Sequence, residues 1–183
     1  MTVAHGFIDE SVRSDGWYRL TMVAVSARDL GAVTRSLRSM LPAGRQRLHF
    51  SSEGDARRRQ ILTAMVRLPI VATTVAAPYR RGRDEEPARQ RCLVELLTVI
   101  NPTVAVLVLD SRGAHRDLND RRILRGAMRA SGRDLPTYSH RGSSDEPLLA
   151  LPDALGWAVG AGGHFAKQVA SSVHEIFLSD QTG

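Results

Sequence analysis

The stretch Phe7-Ile8-Asp9-Glu10-Ser11 constrains this chain more than any other. An apolar strand beginning near Val3 delivers two adjacent carboxylates to the edge of the core, then stops in the polar turn Arg13-Ser14-Asp15-Gly16. A carboxylate at the end of a buried strand is costly to desolvate unless a metal, a cation or a hydrogen-bond network meets it. The stretch therefore reads as a site, against the plainer alternative of an acidic pair facing water. Strand alternation sends Asp9 and Glu10 to opposite faces, so only one of them points straight at a metal. Asp9 is the choice, which leaves Glu10 an assisting or turn role.

A second strand, Trp17 to Ala27, follows as the partner in a hairpin. Leu30, Val33, Leu37, Met40 and Leu41 then recur at helical spacing until Pro42-Ala43-Gly44 stops them. Leu48-His49-Phe50 reads as a short third strand, and Ile61, Leu62, Met65 and Val66 as the stripe of the next helix. Pro69 to Ala77 is a continuous β-branched run, hence a buried strand. After the loop from Tyr79 to Asp84 comes a helix with Ala88, Cys92, Leu93, Leu96, Leu97 and Ile100 on one side. Thr103 to Leu109 is the clearest buried strand, ending at Asp110-Ser111-Arg112-Gly113. A helix through Leu118, Ile123, Leu124 and Met128, an extended piece from Leu135 to His140, and helical stretches around Trp157 and from Phe165 to Phe177 complete the chain.

This order predicts an α/β fold: a mixed central sheet with antiparallel opening strands and later parallel strands, flanked by helices. A length of 183 residues with 43% hydrophobic content suits one domain, with a core from about 3 to 178 and a short flexible tail. The longest apolar runs fall short of a membrane span, and His5, Asp9 and Glu10 interrupt any secretory signal, so a cytoplasmic protein with no membrane partner is expected. Cys92 has no partner for an internal disulfide and reads as buried filler.

The net charge is +6, and Lys167 is the only lysine, so the positive charge is almost all arginine. Guanidinium forks suit phosphate, which fits a nucleic-acid partner; compositional bias toward arginine is the alternative. Local runs occur at Arg57-Arg58-Arg59, Arg80-Arg81-Arg83 and Arg121-Arg122-Arg125.

Ligands in such sheets gather at strand ends. The candidates are Asp9, Asp110 and Asp153, with Glu53 or Asp55 able to join them. Carboxylates converging from distant parts of the chain repel one another, and hard divalent cations, Mg2+ or Mn2+, are the usual remedy. Such ions activate water for phosphodiester cleavage. Substrate contacts are expected from His49, Arg112, His115, Arg80 and Arg81, with His140 also near the edge. Asp145 and Glu146 read as solvated loop charges. No zinc spacing, nucleophile elbow or phosphate loop is present, and Gly160 to Gly163 reads as a break between two helices.

Three motifs carry a family resemblance: Phe7-Ile8-Asp9-Glu10-Ser11, Leu48-His49-Phe50, and Pro147 through Leu155. Their order and spacing resemble domain-of-unknown-function family 3800, which is similar to the ribonuclease H-like fold. The resemblance implies a divalent-metal-dependent nuclease, with Asp9 matching the first-strand metal aspartate, Asp110 that of the later central strand, Asp153 that of the closing helix, and Glu10 the acid beside the first. Ala150 and Pro152 depart from the glutamine and alanine usual before the last aspartate, and Arg47 stands where an acid is frequent. An actin-like ATPase would need a glycine after Asp9 and a second domain. The remaining alternative is a noncatalytic nucleic-acid-binding or protein-interaction module, which would not need the three aspartates to converge.

Overall fold

The computed structural model describes residues 2–42, 45, 47–80, 83–132 and 136–179. The opening strands are β1 (Ala4–Val12) and β2 (Trp17–Ser26), joined by a turn in which Gly16 takes a φ of 82°, a left-handed conformation open to glycine. Helices α1 (Leu30–Ser39) and α2 (Asp55–Met65) lead to β3 (Ile70–Pro78). Then α3 (Glu85–Val99), β4 (Val104–Asp110), α4 (Ala114–Ser131) and β5 (Thr137–Arg141) alternate. The chain closes with α5 (Ala150–Ala161), α6 (Gly163–Val169) and β6 (Val173–Phe177).

The strands form a six-stranded sheet in the order β5-β4-β1-β2-β3-β6. β2 runs antiparallel to both β1 and β3, while β4 lies parallel to β1 and to β5, and β6 parallel to β3. The expected mixed sheet with antiparallel opening strands is therefore the one observed. Alternation along β2 divides the core in two: Tyr18, Leu20 and Met22 face α3 and α4, whereas Val23 and Val25 face α1, α2, α5 and α6. Cys92 lies in the first of these cores, its thiol pushed up to about 12 by burial. No helix among the described residues is long and apolar enough to cross a membrane.

Three local readings are corrected. Leu48-His49-Phe50 is not a strand; the segment holds a 3-10 turn, Phe50–Ser52, in which the Phe50 N–H donates to Asp153 and the Phe50 carbonyl accepts from Arg58 instead of from a neighbouring strand. The stretch from Phe165 to Phe177 is not one helix. α6 stops at Val169, and Val173–Phe177 adds a strand to the open edge of β3, where Val173 and Ile176 gain both backbone partners and apolar neighbours. Finally, α5 starts at Ala150, so Asp153 lies inside its first turn, and Pro152 is accommodated there because first-turn N–H groups have no helical partner. Gly160 to Gly163 does break two helices, at Gly162 with φ 67°. Ala43, Gly44 and Leu135 lie outside the described residues.

α5 approaches the sheet closely through a glycine. A Cβ built on Gly156 would lie 2.7 Å from Thr21 Oγ1, and Thr21 is the cross-strand partner of Asp9. Thr21 is itself held by a hydroxyl–hydroxyl bond to Thr74 at 2.9 Å, so it has little room to yield. Asp153, one turn before Gly156, is thereby carried over Asp9. Gly156→Ala should lower stability by about 1–3 kcal/mol, read as a fall in the urea midpoint at constant m. An unchanged midpoint would mean that α5 can slide away from the sheet.

Candidate carboxylate site

Asp9 shares its face of β1 with Phe7, and so points toward α5. β4 lies alongside with Ile8 opposite Leu109, which sets Asp110 beside Asp9. Asp153 descends from the first turn of α5. Three acids from distant parts of the chain thus meet on one face, and Asp9 feels the charge of both others. Asp9 is held well above the ordinary carboxylate range, first by burial and then by the charges of Asp110, Asp153 and Glu10. Asp153 is raised by burial, opposed by the Phe50 N–H that donates to its Oδ2 at 3.4 Å and by His49. Asp110 is raised by burial and Asp117, against the positive charges of Arg89 and Arg47.

The donors are all oxygens of hard anionic groups, partly withdrawn from water and mutually repelling, which is the chemistry a hard divalent cation relieves. As the side chains stand, however, no group of three or more His, Cys, Asp or Glu among the described residues is placed to hold a metal ion.

Glu10 is absent from this cluster. It lies on the opposite face, where Arg89 Nη1 donates to its Oε2 at 2.5 Å. Arg89 is 1% exposed and also grips the fully buried Asp120 in a two-pronged pair, 2.8 Å from Nε to Oδ1 and 2.7 Å from Nη2 to Oδ2. The Tyr18 hydroxyl accepts from Arg89 at 3.2 Å, and His140 Nε2 lies 3.1 Å from Asp120 Oδ2. Arg112 donates to Glu86 at 2.7 Å and to Asp120 at 3.3 Å. This network ties β1, β2, β5, α3, α4 and the loop after β4 together beneath the acids. Despite burial, Asp120 is held well below the usual carboxylate range by its bonds to Arg89 and His140. Glu10 remains somewhat above its own range, because burial outweighs Arg89 and Arg112.

Several expected site residues are therefore engaged elsewhere. Arg112 and His140 point inward, with side chains 4% and 3% exposed and polar groups directed into the network, so neither presents a free edge to substrate. Glu53 pairs with Arg45 at 2.9 Å and is not among the leading charges on the three aspartates. Glu146 caps the 3-10 turn Pro147–Leu149 by accepting from Leu148 N–H at 3.2 Å. The charges of His49 and Arg47 reach Asp153 and Asp110 respectively and oppose the upward shift of each, while Arg47 Nη1 donates to the Ser143 hydroxyl at 3.4 Å. His115 and Arg80 are exposed, on the first turn of α4 and after β3, and Arg81 lies outside the described residues. Arg58 is bound up holding the carbonyls of Phe50 and Ser51.

Arg89 escaped the sequence reading, although a signal was present. With Cys92, Leu93, Leu96 and Leu97 it completes an i, i+3, i+4, i+7, i+8 stripe, and a charge at a stripe position must find a buried partner.

A scan against protein-family models finds no match, and a search of curated proteins finds none similar in sequence. Solved structures do match. Ribonuclease H2 from Pyrococcus horikoshii OT3 superimposes with a TM-score of 0.57 at 10% identity, covering 84% of this chain and 70% of that one. RNase HII from Archaeoglobus fulgidus, solved in a complex with PCNA, gives 0.54 at 13% identity over 93% and 76%. Bst-RNase HIII in complex with Mn2+ gives 0.51 at 12% identity, over 93% of this chain and 54% of that one. The fold is ribonuclease H-like.

Two outcomes follow from the geometry. Arg89→Met leaves Asp120 buried without its main partner and should cost about 3–5 kcal/mol by urea unfolding. Arg89→Met combined with Asp120→Leu should recover much of that loss; no recovery would mean that the cost lies in the other partners, Glu10 and Tyr18 of Arg89 or His140 and Arg112 of Asp120. The second outcome concerns Asp9, whose raised pKa lets the folded chain keep a proton that the unfolded chain releases in the ordinary carboxylate range. Stability therefore falls as pH rises from there through the raised value. Asp9→Asn should melt higher than wild type near neutral pH, with the gap closing toward about pH 4. A gap that widens on acidification would contradict this sign.

Proposed function

We propose that the chain is a divalent-metal-dependent nuclease acting on DNA or RNA, and that it belongs to domain-of-unknown-function family 3800. The observation that carries this reading is the convergence of Asp9, Asp110 and Asp153, from β1, β4 and α5, on one face of a ribonuclease H-like sheet. Asp9, Asp110 and Asp153 would hold Mg2+ or Mn2+, which when bound would supply an activated water and neutralise charge on the leaving oxygen. The chain's own part is to gather the anionic oxygens, to keep them partly out of water, and to set Arg47 and His49 beside them where a phosphodiester would approach. The neighbouring RNase H2, HII and HIII structures support the class of chemistry through their fold, not a particular substrate.

A second reading, a noncatalytic nucleic-acid-binding module, is favoured by one observation: no group among the described residues is placed to hold a metal as it stands. Calorimetry with Mg2+ and Mn2+, and cleavage assays on single-stranded, duplex and hybrid oligonucleotides, separate the two. The nuclease reading expects metal binding and cleavage in wild type, both lost in Asp9→Asn and Asp110→Asn. Cleavage undiminished in both variants would remove these aspartates from the chemistry, and absence of cleavage with retained oligonucleotide binding would favour the module.

A further inference from the structure

Just beyond β1, on the same side as Asp9, Arg13 is mounted on α5. Its guanidinium carbon lies over the Trp157 ring, 4.8 Å from the centroid. Its stem crosses Gly160 so closely that a Cβ there would fall 2.8 Å from Arg13 Cδ and 3.4 Å from Cγ. Glycine at 160 and tryptophan at 157 thus form a seat shaped to this side chain. Among the described residues Arg13 has no carboxylate or carbonyl partner, unlike Arg58, which also lies over Trp157 but spends its donors on Phe50, Ser51 and Asp55.

Behind Arg13 stands Arg19, its side chain 7% exposed. Arg19 pairs with Asp15 at 2.6 Å, but its Nε and Nη1 are buried without partners, and Nη1 lies 3.4 Å from where a Gly160 Cβ would be. The Arg13 stem and the Arg19 Nη1 meet over one glycine, and two guanidinium side chains side by side, one of them with unmet buried donors, make a locally positive seat that an anion would stabilise. Trp157 is also the residue one turn after Asp153 on α5, and Arg13 lies four residues beyond Asp9, about 13 Å along an extended strand. The seat and the carboxylates therefore lie along one line, a few nucleotides apart.

We infer that Arg13, seated on Trp157 and Gly160 and backed by Arg19, is a binding subsite for a backbone phosphate of nucleic acid, upstream or downstream of the carboxylates. Cation–π contact fixes the guanidinium without consuming its N–H donors, so the fork stays open to a phosphate. A phosphate contact carries no base information, so the subsite sets register and affinity rather than sequence preference. The inference rests on the nucleic-acid part of the proposed function and not on cleavage.

The test is fluorescence anisotropy in EDTA, with a labelled 24-nucleotide single-stranded DNA and, separately, its duplex with RNA, across a series of salt concentrations. Arg13→Gln should bind the preferred probe about tenfold more weakly and lower the slope of log Kd against log salt by about one. Gly160→Ala keeps every charge but obstructs the seat, and should weaken binding in the same direction. Arg125→Gln, on the exposed side of α4, removes the same charge elsewhere and should leave the slope nearly unchanged. Equal losses in Arg13→Gln and Arg125→Gln would reduce the effect to net charge and overturn the subsite. So would wild-type affinity in both Arg13→Gln and Gly160→Ala, or no binding of either probe by wild type. Metal-dependent cleavage is scored separately: a failure there with the binding pattern intact would sink the nuclease reading and leave the subsite standing.

Discussion

Adjacent residues on a strand cannot share a face, and that pleat constraint governs the region around β1. Two neighbouring acids, Asp9 and Glu10, are forced into opposite environments. Asp9 enters a cluster of like charges under α5, and Glu10 enters a salt-bridged network under α3 and α4. Each side then requires its own compensation. On the network side it is built in, through Arg89, Arg112 and the shared acceptor Asp120. On the α5 side it is partial: the Phe50 N–H, His49 and Arg47 reach in from the loop before α2, and Arg89 acts through the sheet.

The asymmetry has a physical logic. A buried arginine with two-pronged bonding to an equally buried aspartate adds little net stability over an apolar pair, but it is rigid, and removing either member is expensive. Arg89 therefore serves as a fixed point that joins the end of β1, the strand that carries Asp9, to β2 and α4. α5 is fixed from the other side by the close contact of Gly156 with Thr21. The three aspartates are thus held together by elements that do not otherwise favour their approach. The repulsion among them is retained at a cost in stability.

Much of the architecture was legible in the sequence because its signals are local. Continuous β-branched runs announced β3 and β4, the Arg13-to-Gly16 turn announced the hairpin, and the stripe Ala88 to Leu97 announced α3. The misread segments are those whose fate depends on a distant partner. Leu48-His49-Phe50 has strand composition but makes no ladder with the sheet, and instead Phe50 lends its backbone N–H to Asp153. Val173–Phe177 is short enough to read either way, and is a strand because β3 offers an edge. Arg112 sits in a polar turn that reads as exposed, yet its guanidinium is drawn inward by Glu86 and Asp120, which belong to two different helices.

By itself the sequence determined the alternation of strands and helices, the placing of Asp9 and Asp110 at the ends of apolar strands, and the division of Asp9 from Glu10 between two faces. These follow from residue spacing and the period of two along a strand, which act over a few residues. Only the tertiary structure decided that Asp153 lies over Asp9, that Glu10 belongs to Arg89 and Asp120, and that Arg13 is seated on Trp157 and Gly160. Each of these depends on contacts between residues dozens of positions apart, where packing distance and the need to pair buried charge, rather than local pattern, select the partner.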